Sequence, residues 1–154
     1  MKITEIKTYL VGNPWKNWLF TRVETDEGIH GIGEGTLNAF GATVDAAIKE
    51  LAPIIIGMDP FQVEIISQRL IRDVNTEGGQ IHMSAVAAIE IACWDIIGKA
   101  TGRPVYDLLG GRVHEGLRSY TYLYPEGGDA YDPLDGPNLY TDPDLAAEAA
   151  VRAV

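Results

Sequence analysis

The sequence predicts an α+β fold: a small antiparallel sheet first, helices packed on it next, and the opening of a further strand–loop–helix unit last. Three observations carry the prediction. Side chains alternate with period two over Lys2 to Val11 and Leu19 to Thr25, and Asp26-Glu27-Gly28 turns the chain into a Gly-rich third strand. Ser84 to Ala100 carries an apolar stripe of helical period through Val86, Ile89, Cys93, Ile97 and Ala100. Near the end, an aromatic strand pattern, a Gly/Pro/Asp-rich loop and a capped helix start follow in order.

The sheet reads as three strands. Lys2 to Val11 alternates Ile6, Thr8 and Leu10 against Glu5, Lys7 and Tyr9. Leu19 to Thr25 sets Leu19, Thr21 and Val23 against Phe20, Arg22 and Glu24. Gly28 supplies the backbone freedom for a hairpin turn. Ile29 to Glu34 returns as a third strand, and Gly31, Gly33 and Gly35 leave room for another element to approach its backbone.

The helices follow. Thr43 to Leu51 is short and amphipathic. Asp59-Pro60-Phe61-Gln62 has the form of a helix start and is expected to open a helix to about Val74. Asn75 to Gln80 is a polar loop. Ser84 to Ala100 is the strongest helix, Gly102 ends it, and Pro104 begins a short turn through Leu109. Leu117 to Tyr124 reads as a new strand and is followed by a long acidic loop. In that loop Asp129, Asp132 and Asp135 lack the bidentate Glu and turn Gly of a calcium loop. Asp142 then caps an Ala-rich helix that runs to Val154, where the sequence stops. A helix needs a partner for its apolar side, so these residues are expected to be the first part of a longer protein.

Composition narrows the function classes. A net charge of −10 over 154 residues disfavours nucleic acid and anionic membranes as partners. From Tyr124 to Glu148 every charged residue is acidic. The single cysteine, Cys93, allows no internal disulfide, sits among apolar neighbours and fits a core role in a reducing cytoplasm. No leader is expected, since Met1-Lys2 leads directly into alternating residues, and apolar runs such as Pro53 to Gly57 are too short to cross a bilayer.

The run Met83 to Gly111, MSAVAAIEIACWDIIGKATGRPVYDLLGG, resembles the signature helix of the enolase superfamily in its mandelate racemase/muconate lactonizing enzyme-like branch. Ala88, Ile89, Trp94, Asp95, Gly98, Lys99, Gly102, Pro104 and Leu108 to Gly111 carry the likeness. The opening MKITEIKTYLV, the hairpin WLFTRVETDEGIHGIGEGTLNAF and the approach NTEGGQIHMSA fit the same branch in the same order. The segments are most similar to sugar-acid dehydratases of the galactonate and mannonate type. The resemblance implies an α+β capping domain over residues 1–116 and the first strand and first helix of a TIM-type barrel over residues 117–154.

It also implies chemistry: magnesium-dependent removal of the proton α to a carboxylate, an enediolate intermediate, and loss of water from a small-molecule sugar acid. The family's metal carboxylates and bases lie on later barrel strands. No position here matches them, so neither catalytic nor metal-binding residues are expected in this segment. A racemase or cycloisomerase of the same superfamily, or a non-catalytic fold or assembly module, are the alternatives. A homo-oligomer is expected.

Two capping loops are expected to shape the substrate pocket. In Gly12 to Trp18, Lys16 offers a cation to a carboxylate, Asn17 an amide to hydroxyls, and Trp15 a ring that excludes water. In Thr36 to Gly41, the Thr36-Leu37-Asn38 form resembles mannonate dehydratases, in which the Asn touches substrate. Asn38 and Phe40 are therefore candidate contacts, and for Asn38 substrate contact is favoured over the alternative of a turn residue satisfying local backbone. Tyr124 sits where the C-terminal end of a barrel strand would meet the site. His82 is a weaker candidate. Asp95 and Lys99, one helical turn apart, read as an ion pair or anchor rather than an acid/base couple. Trp94 is expected to be buried.

Overall fold

The structure, a computed structural model, describes residues 1–12, 16–75, 78–120, 122–123 and 139–153. Two compact units emerge, Met1–Arg112 and Val113–Val154.

In the first unit, strands β1 (Ile3–Gly12), β2 (Asn17–Thr25) and β3 (His30–Glu34) form an antiparallel sheet in that order. Thr8 lies opposite Thr21, and Thr21 opposite Gly33. The alternation now has a physical meaning. Leu19, Thr21, Val23 and Thr25 are buried toward the helices, while Trp18, Phe20, Arg22 and Glu24 occupy the other face. Gly28 turns the hairpin at φ +79°. The Lys2 N–H donates to the Asp26 carboxylate at 2.7 Å, which ties the turn to the chain start.

Helices α1 (Gly41–Ile55), α2 (Val63–Arg72), α3 (Gln80–Thr101) and α4 (Val105–Leu108) follow. α3 lies against β3 and is the spine of the core. The glycines make this possible. A Cβ on Gly31 would sit 1.9 Å from the Ala92 carbonyl oxygen, and one on Gly33 would sit 1.9 Å from that of Ala88. At the far end, Gly102 adopts φ +66°, and the Arg103 N–H closes onto the Gly98 carbonyl at 2.9 Å.

Several boundaries differ from the sequence expectation. α1 is longer at both ends, with Pro53 accommodated in its last turn. Asp59 does not cap a helix at Pro60. Its carboxylate accepts from the Phe61 N–H at 3.0 Å and its carbonyl from the Gln62 N–H at 3.0 Å, so it builds a turn, and α2 begins at Val63. α3 begins at Gln80 because Gly78 and Gly79, at φ +82° and +100°, complete the turn before it. Ala100 is exposed although it belongs to the expected stripe, and Trp94 is only half-buried against the core.

α3 also corrects the reading that no apolar stretch is long enough for a bilayer. Its 22 residues reach a mean hydropathy of 1.4 over one 18-residue window, enough by length and composition alone. Half of that window is buried inside the protein, which is the setting of a core helix.

In the second unit, α5 (Pro143–Ala153) forms as expected. The Asp142 carboxylate accepts from the Asp144 and Leu145 N–H groups at 2.9 and 3.3 Å, a helix N-cap. The expected strand Leu117–Tyr124 is a correction. Residues 117–120, 122 and 123 are not in a strand, and Tyr124 lies outside the described residues. A barrel strand draws its hydrogen bonds from parallel neighbours on both sides, and none is present among the described residues.

Candidate functional site

Antiparallel pairing brings three chain segments to one end of the sheet. β1 ends there at Gly12, β2 begins there at Asn17, and β3 ends there at Glu34. The two loops expected to shape a pocket therefore leave the same end, and α1 starts beside them.

The second loop is held at both ends. The Gly35 N–H donates to the Leu19 carbonyl at 2.9 Å, and the Leu19 N–H donates to the Thr36 hydroxyl at 3.0 Å. Next comes a turn closed by the Phe40 N–H on the Leu37 carbonyl at 3.1 Å, with Asn38 and Ala39 at its centre. Ala39 takes φ +66°, a left-handed conformation uncommon for a residue with a Cβ. Asn38 is exposed at this apex, and Phe40 is 49% exposed. α1 then begins with no side-chain cap and no acidic residue in its first turn, so its positive end stays uncompensated next to the loop.

The first loop meets the second through Asn17. A Cβ on Gly41 would sit 3.6 Å from the Asn17 Cβ and 3.0 Å from Leu10 Cδ1. Asn17 has the same parity as Leu19, so it belongs to the helix side of the sheet. Lys16 is held differently: its Nζ lies 3.5 Å from the centre of the Trp18 ring, a cation–π contact, and Trp18 occupies the opposite face. The structure thus brings Asn17 to the Asn38 loop and stacks Lys16 on Trp18. Trp15 and Tyr124 lie outside the described residues.

Behind the loops, Asp45 on α1 pairs with Lys49 at 2.7 Å. Burial pushes its carboxyl up, but hydrogen bonds from Lys49 and Thr8 outweigh that and hold it below the usual range. His82 is an anchor. Its Nε2 lies 2.9 Å from the Leu70 carbonyl, so Nε2–H donates and ties α3 to α2. Asp95 and Lys99 form the expected ion pair at 2.7 Å. Cys93 is buried and its thiol is pushed up to about 12, by burial first and by Glu90 second.

Thr36 is the position that the sequence reading passed over. Its signal was a hydroxyl placed directly after a Gly-rich strand, where the ladder runs out. Among the described residues, no three His, Cys, Asp or Glu side chains are grouped to hold a metal ion. The described residues therefore offer no donor cluster that fits a magnesium site.

Comparison with known proteins agrees with this architecture. The model of the mandelate racemase / muconate lactonizing enzyme N-terminal domain matches residues 11–110. A D-galactonate dehydratase from Variovorax paradoxus is 45% identical over 129 residues, 84% of this chain and 32% of its own length. One from Pectobacterium atrosepticum is 46% identical over 129 residues, with the same shares. The chain thus spans about a third of the curated relatives it matches. A mandelate racemase/muconate lactonizing enzyme-type structure from Labrenzia alexandrii DFL-11 superposes with TM-score 0.85 at 39% identity, over 99% of this chain and 38% of that one. An enolase from Pantoea ananatis, solved with bound D-gluconate and Mg, has TM-score 0.71 at 38% identity, over 75% of this chain and 28% of that one. With its sheet, its signature helix α3 and its two loops at one end of the sheet, the chain belongs to the mandelate racemase/muconate lactonizing enzyme family of the enolase superfamily, and its residues 11–110 are the family's N-terminal domain.

Proposed function

We propose that this chain is the N-terminal part of a magnesium-dependent acid-sugar dehydratase of the cytoplasm that works as a homo-oligomer. The observation that carries the reading is the identity of about 45% to D-galactonate dehydratases across 84% of this chain. Residues 1–116 are its cap and residues 117–154 the start of its barrel.

The reaction removes the proton α to the carboxylate and expels the β-hydroxyl as water. The resulting enol takes a proton at C3, gives up its C2 hydroxyl proton, and becomes a 2-keto-3-deoxy acid. The α-proton is weakly acidic, so stabilising the developing charge accounts for much of the rate. This chain contributes closure and recognition. Asn38 and Asn17 offer amides to substrate hydroxyls, and Lys16 offers a cation. Phe40 offers an apolar ring beside them, and Trp15 and Tyr124, outside the described residues, are further candidates by resemblance alone. The metal ligands and proton-transfer groups belong to the remainder of the protein.

The test is turnover of a panel of sugar acids, D-galactonate first, by the complete protein with magnesium. Mass spectrometry should find product lighter by one water, and a chelator should abolish it. The segment of residues 1–154 should be inactive on the same panel. Epimerised substrate of unchanged mass would replace dehydration with racemisation.

A further inference from the structure

Building on the reading of Asn38 as a substrate contact, we propose that Thr36 is a positioning residue for Asn38, its hydroxyl fixing the loop to β2. The β2–β3 ladder pairs Phe20 with Glu34 as its last partners. Beyond it, the Gly35 N–H still reaches the Leu19 carbonyl at 2.9 Å. The Leu19 N–H is then left inside the protein, since Leu19 is wholly buried. A buried N–H without an acceptor is costly, and the chain has already turned away from the sheet. The Thr36 Oγ1 accepts that N–H at 3.0 Å, so a side chain extends the ladder by one bond.

The other end of the loop is fixed independently. The Phe40 N–H closes the turn on the Leu37 carbonyl at 3.1 Å, and the Val44 N–H on the Phe40 carbonyl at 2.9 Å starts α1. Leu37 packs against the core. Only Asn38 and Ala39 remain between the anchors, and Ala39 holds φ +66°. A left-handed alanine persists only where its surroundings impose it. Asn38 therefore stands at the apex of a short segment tied at both ends, and Thr36 is the tie on the sheet side. An amide held this way meets a substrate hydroxyl without first ordering its loop.

Valine keeps the shape of Thr36 and removes the acceptor, whereas serine keeps the acceptor. The experiment measures kcat and KM of the complete protein for Thr36→Val, Thr36→Ser, Asn38→Ala and the Thr36→Val/Asn38→Ala pair. D-galactonate is the probe, or whichever acid of the panel is turned over. Thr36→Val should lose about five-fold or more in kcat/KM, and Thr36→Ser should stay within about two-fold of the parent. The pair should be no worse than Asn38→Ala alone, because a misplaced amide and an absent one fail together. Thr36→Ala, which lets water reach the Leu19 N–H, serves the same comparison should Thr36→Val not fold. Full activity in the variants without the hydroxyl, or losses that multiply in the pair, would overturn the role of Thr36 alone. Unchanged kinetics in Asn38→Ala would overturn the Asn38 contact and this proposal with it.

Discussion

The Asp95 carboxylate on α3 accepts the backbone N–H of Ile32 on β3 at 2.8 Å. The same oxygen takes Lys99 Nζ at 2.7 Å, and Lys99 Nζ also donates to the His30 carbonyl at 2.8 Å. β3 is an edge strand of the sheet, and an edge exposes unpaired backbone groups. One ion pair on a helix satisfies a donor and an acceptor of that edge. Asp95→Ala should therefore cost about 1–2 kcal/mol, more than an exposed ion pair is worth, because a charge-assisted bond to backbone is lost as well. Asp95→Asn should recover part of it by keeping an acceptor. Denaturant midpoints of the two variants check this, and equal losses would show that the charge alone matters.

The close approach of α3 to β3 makes a second prediction. A Cβ on Gly33 would meet the Ala88 carbonyl oxygen and carbon at 1.9 and 2.9 Å, all backbone atoms that cannot rotate away. Gly33→Ala must push the helix off the strand and should cost about 3 kcal/mol or more. Gly12→Ala is the control, since among the described residues its Cβ would find only Asn17 Oδ1 at 3.5 Å. A Gly33→Ala protein that unfolds at the parent midpoint would mean that the helix is free to shift.

Much of this core was legible in sequence, for reasons that are local. Period two marks β2 because one of its faces is buried, whereas β1 fully buries only Ile3, and the glycines of β3 announced a neighbour at close range. Asp142 read correctly as a cap because capping involves only the next three residues. Long-range partners leave no such trace. The spacing of Asp95 and Lys99 predicts their ion pair, but nothing in it says that both reach a strand more than sixty residues earlier. Asp59 carried a cap signal and spent it on a turn, since the same side-chain bond serves both. The aromatic pattern of Leu117 to Tyr124 records a propensity, and propensity without neighbouring strands makes no ladder. At the candidate site, resemblance singled out Asn38 as a candidate, and the structure shows the exposed turn that carries it. The left-handed turn at Ala39 was not legible, because alanine does not favour it.

Cys93 should be chemically silent in the folded protein. The reactive form of a thiol is the thiolate, and burial pushes this one from 9.0 up to about 12. A disulfide reagent at about pH 8 should label it no faster than the protein opens, and denaturant should bring full reactivity. The raised value also links stability to pH. The folded state holds the proton more tightly, so this contribution is complete below 9.0 and is lost as pH rises toward about 12. Prompt labelling without denaturant would place the sulfur at the surface.

Asn38 carries the sharpest prediction about function. It is exposed at the apex of a turn whose ends are bonded, so its side chain has no packing role in the core. Removing its amide should leave the fold intact and shift the melting temperature little, since exposed substitutions usually stay within about 0.5 kcal/mol. In a closed site the same change strands a substrate hydroxyl. One hydrogen bond is worth roughly 0.5–1.5 kcal/mol net, and more when a polar group is left without a partner. Asn38→Ala in the complete protein should accordingly lower kcat/KM for its sugar acid about ten-fold or more. Asn38→Asp keeps the size and removes the donor. It also adds a negative charge to a site proposed for an anionic substrate, and should be the worse variant at neutral pH. Kinetics and melting temperature must be read on the same preparations. A ten-fold loss at constant melting temperature places Asn38 on the substrate. A melting temperature that collapses with activity makes it a structural turn residue, and parent-like kinetics remove it from the pocket.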